Sequence, residues 1–335
     1  MWTVLVAALL LLGVTACAGR GAGRSEDATP QNPLVLTLAH SLGDTHVTST
    51  ALQDFADRVK NDSGGRITVR IHPNGQLGSE TEVLEQLMAG VVDMTRVSAP
   101  GLATVEEGYH AFGLPYLFED AESYRRAMTS PGMREFFAST ADKGFVGLTY
   151  YTSGARSFYT VDRPIRRPQD LKGLKIRVQD MRSQTDMVST LGGTPVVMPL
   201  GETYTALQTG IVDGAESNET VLTQSKHGEV AKTFSVNEHT RIPDVLVIGT
   251  PVLERLSAED QKLLTDAAAA STEAHTKAWE AETQKAIEEA RGMGVTFVED
   301  VDTRAFREAT RPLVDRYRQE YPGVARVLES ISAAR

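Results

Sequence analysis

Apolar and polar positions along this chain switch between the period of a strand and the period of a helix. Leu34-Val35-Leu36-Thr37-Leu38-Ala39 is a short apolar run that predicts a buried strand. Leu52, Phe55, Ala56 and Val59 then fall at i, i+3, i+4 and i+7, which predicts a helix over about 46–61. Ser63-Gly64-Gly65 breaks that helix, and Ile67-Thr68-Val69-Arg70-Ile71 predicts a second strand. Gly75 and Gly78 mark a turn. Ser79 and Glu82 have the spacing of a capping box for a helix carrying Val83, Leu84, Leu87 and Met88. Gly90 closes it, and Val91-Val92-Asp93-Met94 predicts the start of another strand. Strand–helix–strand–helix alternation of this kind belongs to the α/β class with a largely parallel sheet.

The same alternation returns later. Strands are predicted at about 145–149, 157–160, 173–178, 211–215 and 245–250, and helices at about 183–191 and 202–209. The architecture repeats, without a tandem repeat of sequence. Residues 258–291 are rich in Ala, Glu, Gln and Lys, with Ser257 as a cap and Gly292 and Gly294 as stops. As one helix they would reach about 50 Å, longer than a single small lobe. Many of the inward candidates are Ala, so a helix lying along two lobes is expected in preference to a coiled coil. A strand at 295–298 and helices from about 303 complete the chain.

Length and charge narrow the picture. The chain has 335 residues, more than one core usually organises, so two lobes or domains are expected. Its formal charge is −10, from 34 basic and 44 acidic residues, with no basic run, which speaks against nucleic-acid partners. A small anion stays open, because a small site responds to local charge. Val4 to Leu12 is almost all apolar, shorter than the ~20 residues of a membrane span but the length of a secretory leader's apolar region. Gly13 to Ala16 ahead of Cys17 resemble the lipobox of bacterial lipoproteins. That resemblance implies a leader over 1–16 and a lipid on Cys17. Residues 1–16 carry no charged side chain, so a leader's usual positive charge would come from the amino terminus or from a start further upstream. Residues 17–33 read as a flexible tether spanning roughly 20–25 Å. Cys17 is the only cysteine, so the folded part can hold no disulfide, thiolate nucleophile or Cys-ligated metal.

Reactive constellations are absent from the sequence. It has no phosphate loop, no Gly-x-Ser-x-Gly elbow and no His-Glu-x-x-His, and the seven His are scattered. No cofactor and no metal are expected. Two arginines are more informative: Arg177 inside the strand 173–178, and Arg156 just after Tyr150-Tyr151-Thr152-Ser153-Gly154-Ala155. An arginine facing a cleft needs an anion, since burying an unpaired charge costs several kcal/mol, and its planar fork matches a carboxylate. On the residues alone, each could equally be a surface arginine of a half-exposed strand.

Longer stretches resemble a known family. Gly173-Leu174-Lys175-Ile176-Arg177-Val178, Leu191-Gly192-Gly193-Thr194-Pro195 and Glu202 to Glu216, including Asp213-Gly214-Ala215-Glu216, closely resemble the solute-binding proteins of tripartite ATP-independent periplasmic (TRAP) transporters, the DctP-type family. Pro73 to Glu80 and Leu114-Pro115-Tyr116-Leu117-Phe118 resemble two more of its motifs, and the resemblance runs from about Leu34 to Arg291. It implies a two-lobe periplasmic binding protein fold of α/β lobes around a cleft, with the long helix bracing both. Lobe I would be 34–153 and 243–280; lobe II would be 154–242 and 281–335. It also implies a binding protein, not an enzyme, that hands a small organic acid to TRAP permease subunits. The protein is expected as a monomer in the periplasm or at the cell surface, touching the membrane only through Cys17.

The resemblance assigns residues too. It implies that Arg177 binds the ligand carboxylate and that Arg156 assists. An Asn usually follows the Glu of the Asp-Gly-x-Glu motif; here that place is Ser217, with Asn218 next, so the contact falls to Asn218 or to the Ser217 hydroxyl. Glu80 is expected at ligand hydroxyls, and His40 and Arg96 at strand ends lining the cleft. Ser153 to Thr160, Asp213 to Asn218 and His239 to Asp244 resemble the subgroup that binds hexuronates and related sugar acids. A C4-dicarboxylate is the alternative ligand and would want a second cation, such as Arg156 or Arg96, opposite Arg177. A sensory module presenting its ligand to a receptor, or an exported enzyme, are the alternative roles.

Overall fold

Two apolar strand sets, each flanked by amphipathic helices, form two lobes. The protein is described by a computed structural model covering residues 23–334. The leader 1–16 and the lipid site Cys17 lie outside the described residues. One sheet holds β1 (Leu34–Ala39), β2 (Ile67–His72), β3 (Met94–Ser98), β4 (Phe145–Tyr151) and β10 (Asp244–Gly249), in the order β2-β1-β3-β10-β4. The other holds β5 (Arg156–Thr160), β6 (Lys175–Val178), β7 (Thr194–Val197), β8 (Gly214–Ser217), β9 (Thr233–Thr240) and β11 (Thr296–Val298), in the order β11-β9-β5-β8-β6-β7. The largely parallel sheet expected from the sequence is therefore a mixed one. β10 runs antiparallel to both β3 and β4, and β5 antiparallel to both β8 and β9.

The chain crosses between lobes at β4–β5 and at β9–β10, and the Ser153 hydroxyl in the first crossing donates to the Ile242 carbonyl in the second at 2.6 Å. The third connection is the helix Ala258–Gly292, close to the span read from sequence. Leu264, Ala267 and Ala268 from its first half join the core of lobe I, and Ala290 near its end joins the core of lobe II. Its small residues let it lie close against both lobes, as the absence of large a/d residues suggested. Another apolar cluster runs from Leu84 and Val97 in lobe I to Ile176 and Val188 in lobe II.

Four local readings change. The strand expected from Val91 begins at Met94, and the strand expected from Ile211 begins at Gly214. In both places a helix ends at a left-handed glycine, Gly90 (φ 74°) or Gly210 (φ 72°), and a turn follows. Asp93 then accepts from the Thr37 amide at 2.8 Å, and Asp213 accepts from the Lys175 amide at 2.7 Å. Each lobe thus uses an acid to hold the neighbouring parallel strand, which is the repeated architecture in atomic form. The tether read over 17–33 is docked from Ser25 onward. Ser25 is buried, its amide donates to the Arg255 carbonyl, and its hydroxyl accepts from the Ser257 amide. The C-terminal segment does not belong wholly to lobe II. The helix Thr303–Glu320 reaches lobe II through Tyr317 and Arg316 on Asp186. The helix Pro322–Ala333 follows its own apolar face into the cluster of Tyr109, Phe112 and Phe137 in lobe I.

The crossing at Gly154 is sterically tight. Its φ is 69°, and a Cβ there would lie 3.0 Å from the Trp279 indole nitrogen on the long helix. Gly154→Ala should cost about 1–2 kcal/mol, read as a lower urea midpoint with an unchanged slope. Buried histidines set an acid limit. Burial, with help from Arg96 or Arg177, lowers His40 to about 4, His227 to about 4 and His275 to about 3. Below about pH 6.5 the unfolded chain takes up protons that these folded histidines refuse, so stability should fall with pH. The slope should be up to ~1.4 kcal/mol per pH unit for each group down to its folded pKa. Urea unfolding at about pH 7 and about pH 5 checks the sign.

Candidate functional site

A cleft of ≈ 790 Å³ opens between the lobes at the C-terminal ends of β3, β6 and β8. That volume suits a small molecule, and the place suits an open α/β sheet. Arg177, in the middle of β6, is 2% exposed and lines it. Nε and Nη2 of Arg177 donate to the Met198 carbonyl at 3.0 and 2.8 Å, just beyond the adjacent strand β7. It has no carboxylate partner among the described residues. Burial lowers its pKa, although Tyr159 and Glu216 act the other way. A guanidinium remains charged at any physiological pH, so this is a buried cation fixed along one edge and lacking an acid.

Arg156 also lines the cleft, but its charge is matched. Its Nε and Nη2 donate to the two oxygens of Glu216 at 2.6 and 2.8 Å, and Nη2 also reaches the Glu216 carbonyl at 2.7 Å. The antiparallel register of β5 on β8 puts Phe158 opposite Glu216, which brings the two side chains together. Gln184 and His239 donate to the same carboxylate at 3.2 and 3.4 Å. Burial opposes ionisation of Glu216, but Arg156 and His239 outweigh it and hold its pKa at about 2.

Arg96 lines the opposite wall, between Glu80 and Asp244, and pairs with both. The capping box of Ser79 and Glu82 starts the helix Glu80–Met88 at the point that aims Glu80 inward. Glu80 also accepts from Ser41 at 3.1 Å and from the Ser98 amide at 3.2 Å. The two residues expected to supply a second cation, Arg156 and Arg96, are therefore both neutralised by acids, which removes the charge complement a dicarboxylate would need.

The remaining expected residues divide. Ser217 and Asn218 both face the cleft. Asn218 Oδ1 is committed to the Thr220 amide and hydroxyl, at 3.0 and 2.7 Å, which leaves Nδ2 as its free donor. His40 is not in the lining. β1 ends at Ala39 and the lining begins at Ser41, so His40 lies buried behind the Ser41–Gly43 rim, and both its ring nitrogens lack a hydrogen-bond partner among the described residues. Gln179, Ser98, Asp244 and Trp279 line the cleft and were not singled out from sequence. Two of these carried a signal: Gln179 is two residues past Arg177 and Ser98 two past Arg96, and strand alternation puts such pairs on one face. Among the described residues no group of three or more His, Cys, Asp or Glu could hold a metal ion, and no helix is long and apolar enough to cross a membrane.

The chain is similar to proteins that are already known. The sequence model of DctP, the bacterial extracellular solute-binding protein family 7, matches residues 38–320. An uncharacterised protein, YiiZ of Salmonella typhimurium, is 41% identical over 283 residues, covering 84% of this chain and 86% of that protein. A TRAP periplasmic solute-binding protein from Anaerococcus prevotii, solved with bound D-glucuronate, superposes with a TM-score of 0.86 at 34% identity, over 90% of this chain and 97% of that one. One from Bradyrhizobium sp. BTAi1, in complex with D-galacturonate, superposes with a TM-score of 0.85 at 36% identity, over 89% of this chain and 99% of that one. With its two lobes, its bracing helix and the arginine of its cleft, the chain belongs to the DctP family of TRAP-transporter solute-binding proteins.

Proposed function

We propose that this protein captures a hexuronate, such as D-glucuronate or D-galacturonate, outside the cytoplasm and passes it to the membrane permease of a TRAP transporter. The observation that carries the reading is Arg177: a buried guanidinium on the cleft wall, held by a backbone carbonyl and without an acid of its own. A ligand carboxylate completes it in bidentate fashion. The hexuronates bound by the solved relatives support the choice of a sugar acid.

The protein works by binding, without turnover. In the open form the carboxylate docks on Arg177 of lobe II. The hydroxyls then engage polar groups of both lobes, and only a ligand with contacts on both can favour the closed state. Closure excludes water, which strengthens the ion pair. The lipid on Cys17 would hold the protein at the membrane. Ser25 is docked on lobe I, so lobe I would be the lobe nearer the anchor.

Arg177→Ala should weaken D-galacturonate binding by about 2–5 kcal/mol in titration calorimetry, with thermal stability unchanged or higher because a stranded charge is gone. Arg177→Lys should lose much of the same affinity, since an ammonium cannot pair side-on with a carboxylate. Unchanged affinity in both would exclude Arg177 as the anchor. Glu216→Gln should behave differently: it strands Arg156 in the interior and should cost about 3–5 kcal/mol of stability in urea unfolding.

A further inference from the structure

The strand register of lobe II lays three residues in a row across its sheet. Arg177 of β6 lies opposite Ala215 of β8, and Ala215 lies opposite Tyr159 of β5. Directly opposed residues share one face of a sheet. The residue between is only a methyl, so the long side chains of Arg177 and Tyr159 converge over it. Of the ionisable groups around Arg177, Tyr159 acts on it most strongly. The Tyr159 hydroxyl in turn meets His227 Nδ1 at 2.7 Å. His227 opens the short turn His227–Glu229, is 1% exposed, and lines the cleft with Arg177.

What each atom can donate or accept places the ring proton. With a proton on Nδ1, the buried Tyr159 hydroxyl hydrogen would have no acceptor among the described residues. With the hydroxyl donating to Nδ1, both atoms are satisfied and the proton sits on Nε2. Nε2–H then has no acceptor among the described residues. Arg177 Nη1 has none either, since Nε and Nη2 are the atoms turned to the Met198 carbonyl. A carboxylate has lone pairs enough to accept from both donors. Burial, helped by the Arg177 charge, lowers His227 to about 4, so it is neutral near pH 7. Arg177 is the one charge that acts on it. The helix Thr220–Gln224 packed on its turn is uncharged, and the helix Leu200–Thr209 brings only Glu202 and Tyr204. Lys226 and Glu229 flank His227 in sequence, and Glu229 accepts from Tyr204 at the exposed surface. A carboxylate on Arg177 reverses the balance: it cancels the arginine's repulsion and favours a positive imidazole.

We propose that His227, positioned by Tyr159, is a second donor to the ligand carboxylate beside Arg177, and that hexuronate binding therefore takes up a proton in mildly acid solution. The inference rests on the hexuronate reading and adds a pH dependence to it. An arginine–carboxylate pair alone is flat between about pH 7.5 and about pH 5.5, because neither partner titrates there. With His227 in the site, the bound form holds more protons than the free form over that range. Affinity then rises as the pH falls.

Titration calorimetry with D-galacturonate at about pH 7.5 and about pH 5.5, each in two buffers of different ionisation enthalpy, tests this. The wild-type protein should take up a large part of one proton at the lower pH and bind about 3–10-fold tighter there. His227→Gln keeps a donor that does not titrate. Its affinity should no longer change between the two pH values, and its proton uptake should fall. His227→Leu has no donor and should bind at least about tenfold more weakly than wild type at both. Burial raises the pKa of Glu219, to about 7, and of Asp244, and any proton these acids exchange is common to wild type and His227→Gln and cancels in the difference. Thermal unfolding confirms that the variants are folded. Equal uptake in wild type and His227→Gln, or His227→Leu binding within about twofold of wild type, would overturn the role of His227 while leaving the hexuronate reading standing. Absence of net uptake by the wild type at about pH 5.5 would overturn it without any variant. Failure of the wild-type protein to bind either D-galacturonate or D-glucuronate would overturn the hexuronate reading, and this inference with it.

Discussion

A positive charge buried without its own acid is the constraint around which this protein is organised. Arg177 sits in a strand, 2% exposed, with a backbone carbonyl along one edge of its guanidinium. Leaving a charge in that state costs several kcal/mol, and the fold carries the cost through a core that spans both lobes. In the function proposed here, that cost would turn into binding free energy when a ligand carboxylate arrives. Two crossing strands and one long helix hold the lobes in register, so that a ligand fixed on one wall meets the other.

The three cleft arginines show how one residue type takes three roles by its partners. Arg156 with Glu216 is a closed pair, buttressed by Gln184 and His239. It shapes the wall and contributes little net field. Arg96 between two acids is a polar junction whose outward character is acceptor-rich. Only Arg177 is electrically incomplete. Neutral buried histidines, His227 among the cleft residues and His40 and His275 in the interior, keep further positive charge out of the region.

Much of the fold was legible because its periods are clean. The helix on Leu52, Phe55, Ala56 and Val59 lies within one residue of its expected bounds, and the Ser79–Glu82 capping box forms as its spacing implied. Legibility failed where tertiary contacts overrule local pattern. Val91 and Ile211 look like strand residues but are exposed in turns, because Asp93 and Asp213 are captured by neighbouring strands first. β9 went unread because Thr233–Thr240 is largely polar and owes its burial to tertiary contacts, with its sheet partners and with the apolar cluster around Phe234. At the site, strand alternation makes Arg177 and Gln179 neighbours, but the pairing of Arg156 with Glu216 spans 60 positions and depends on the β5–β8 register. No reading of one sequence supplies that register: the family resemblance singled out Arg177, but that Arg156 is closed off by Glu216 came from the structure.

The central claim is that binding depends on the ligand's carboxylate meeting Arg177. Titration calorimetry of the wild-type protein with D-galacturonate and with D-galactose, the same sugar without the carboxylate, tests it most directly. The account predicts clear binding of D-galacturonate and at least about 100-fold weaker binding of D-galactose. Equal affinity for the two would contradict it.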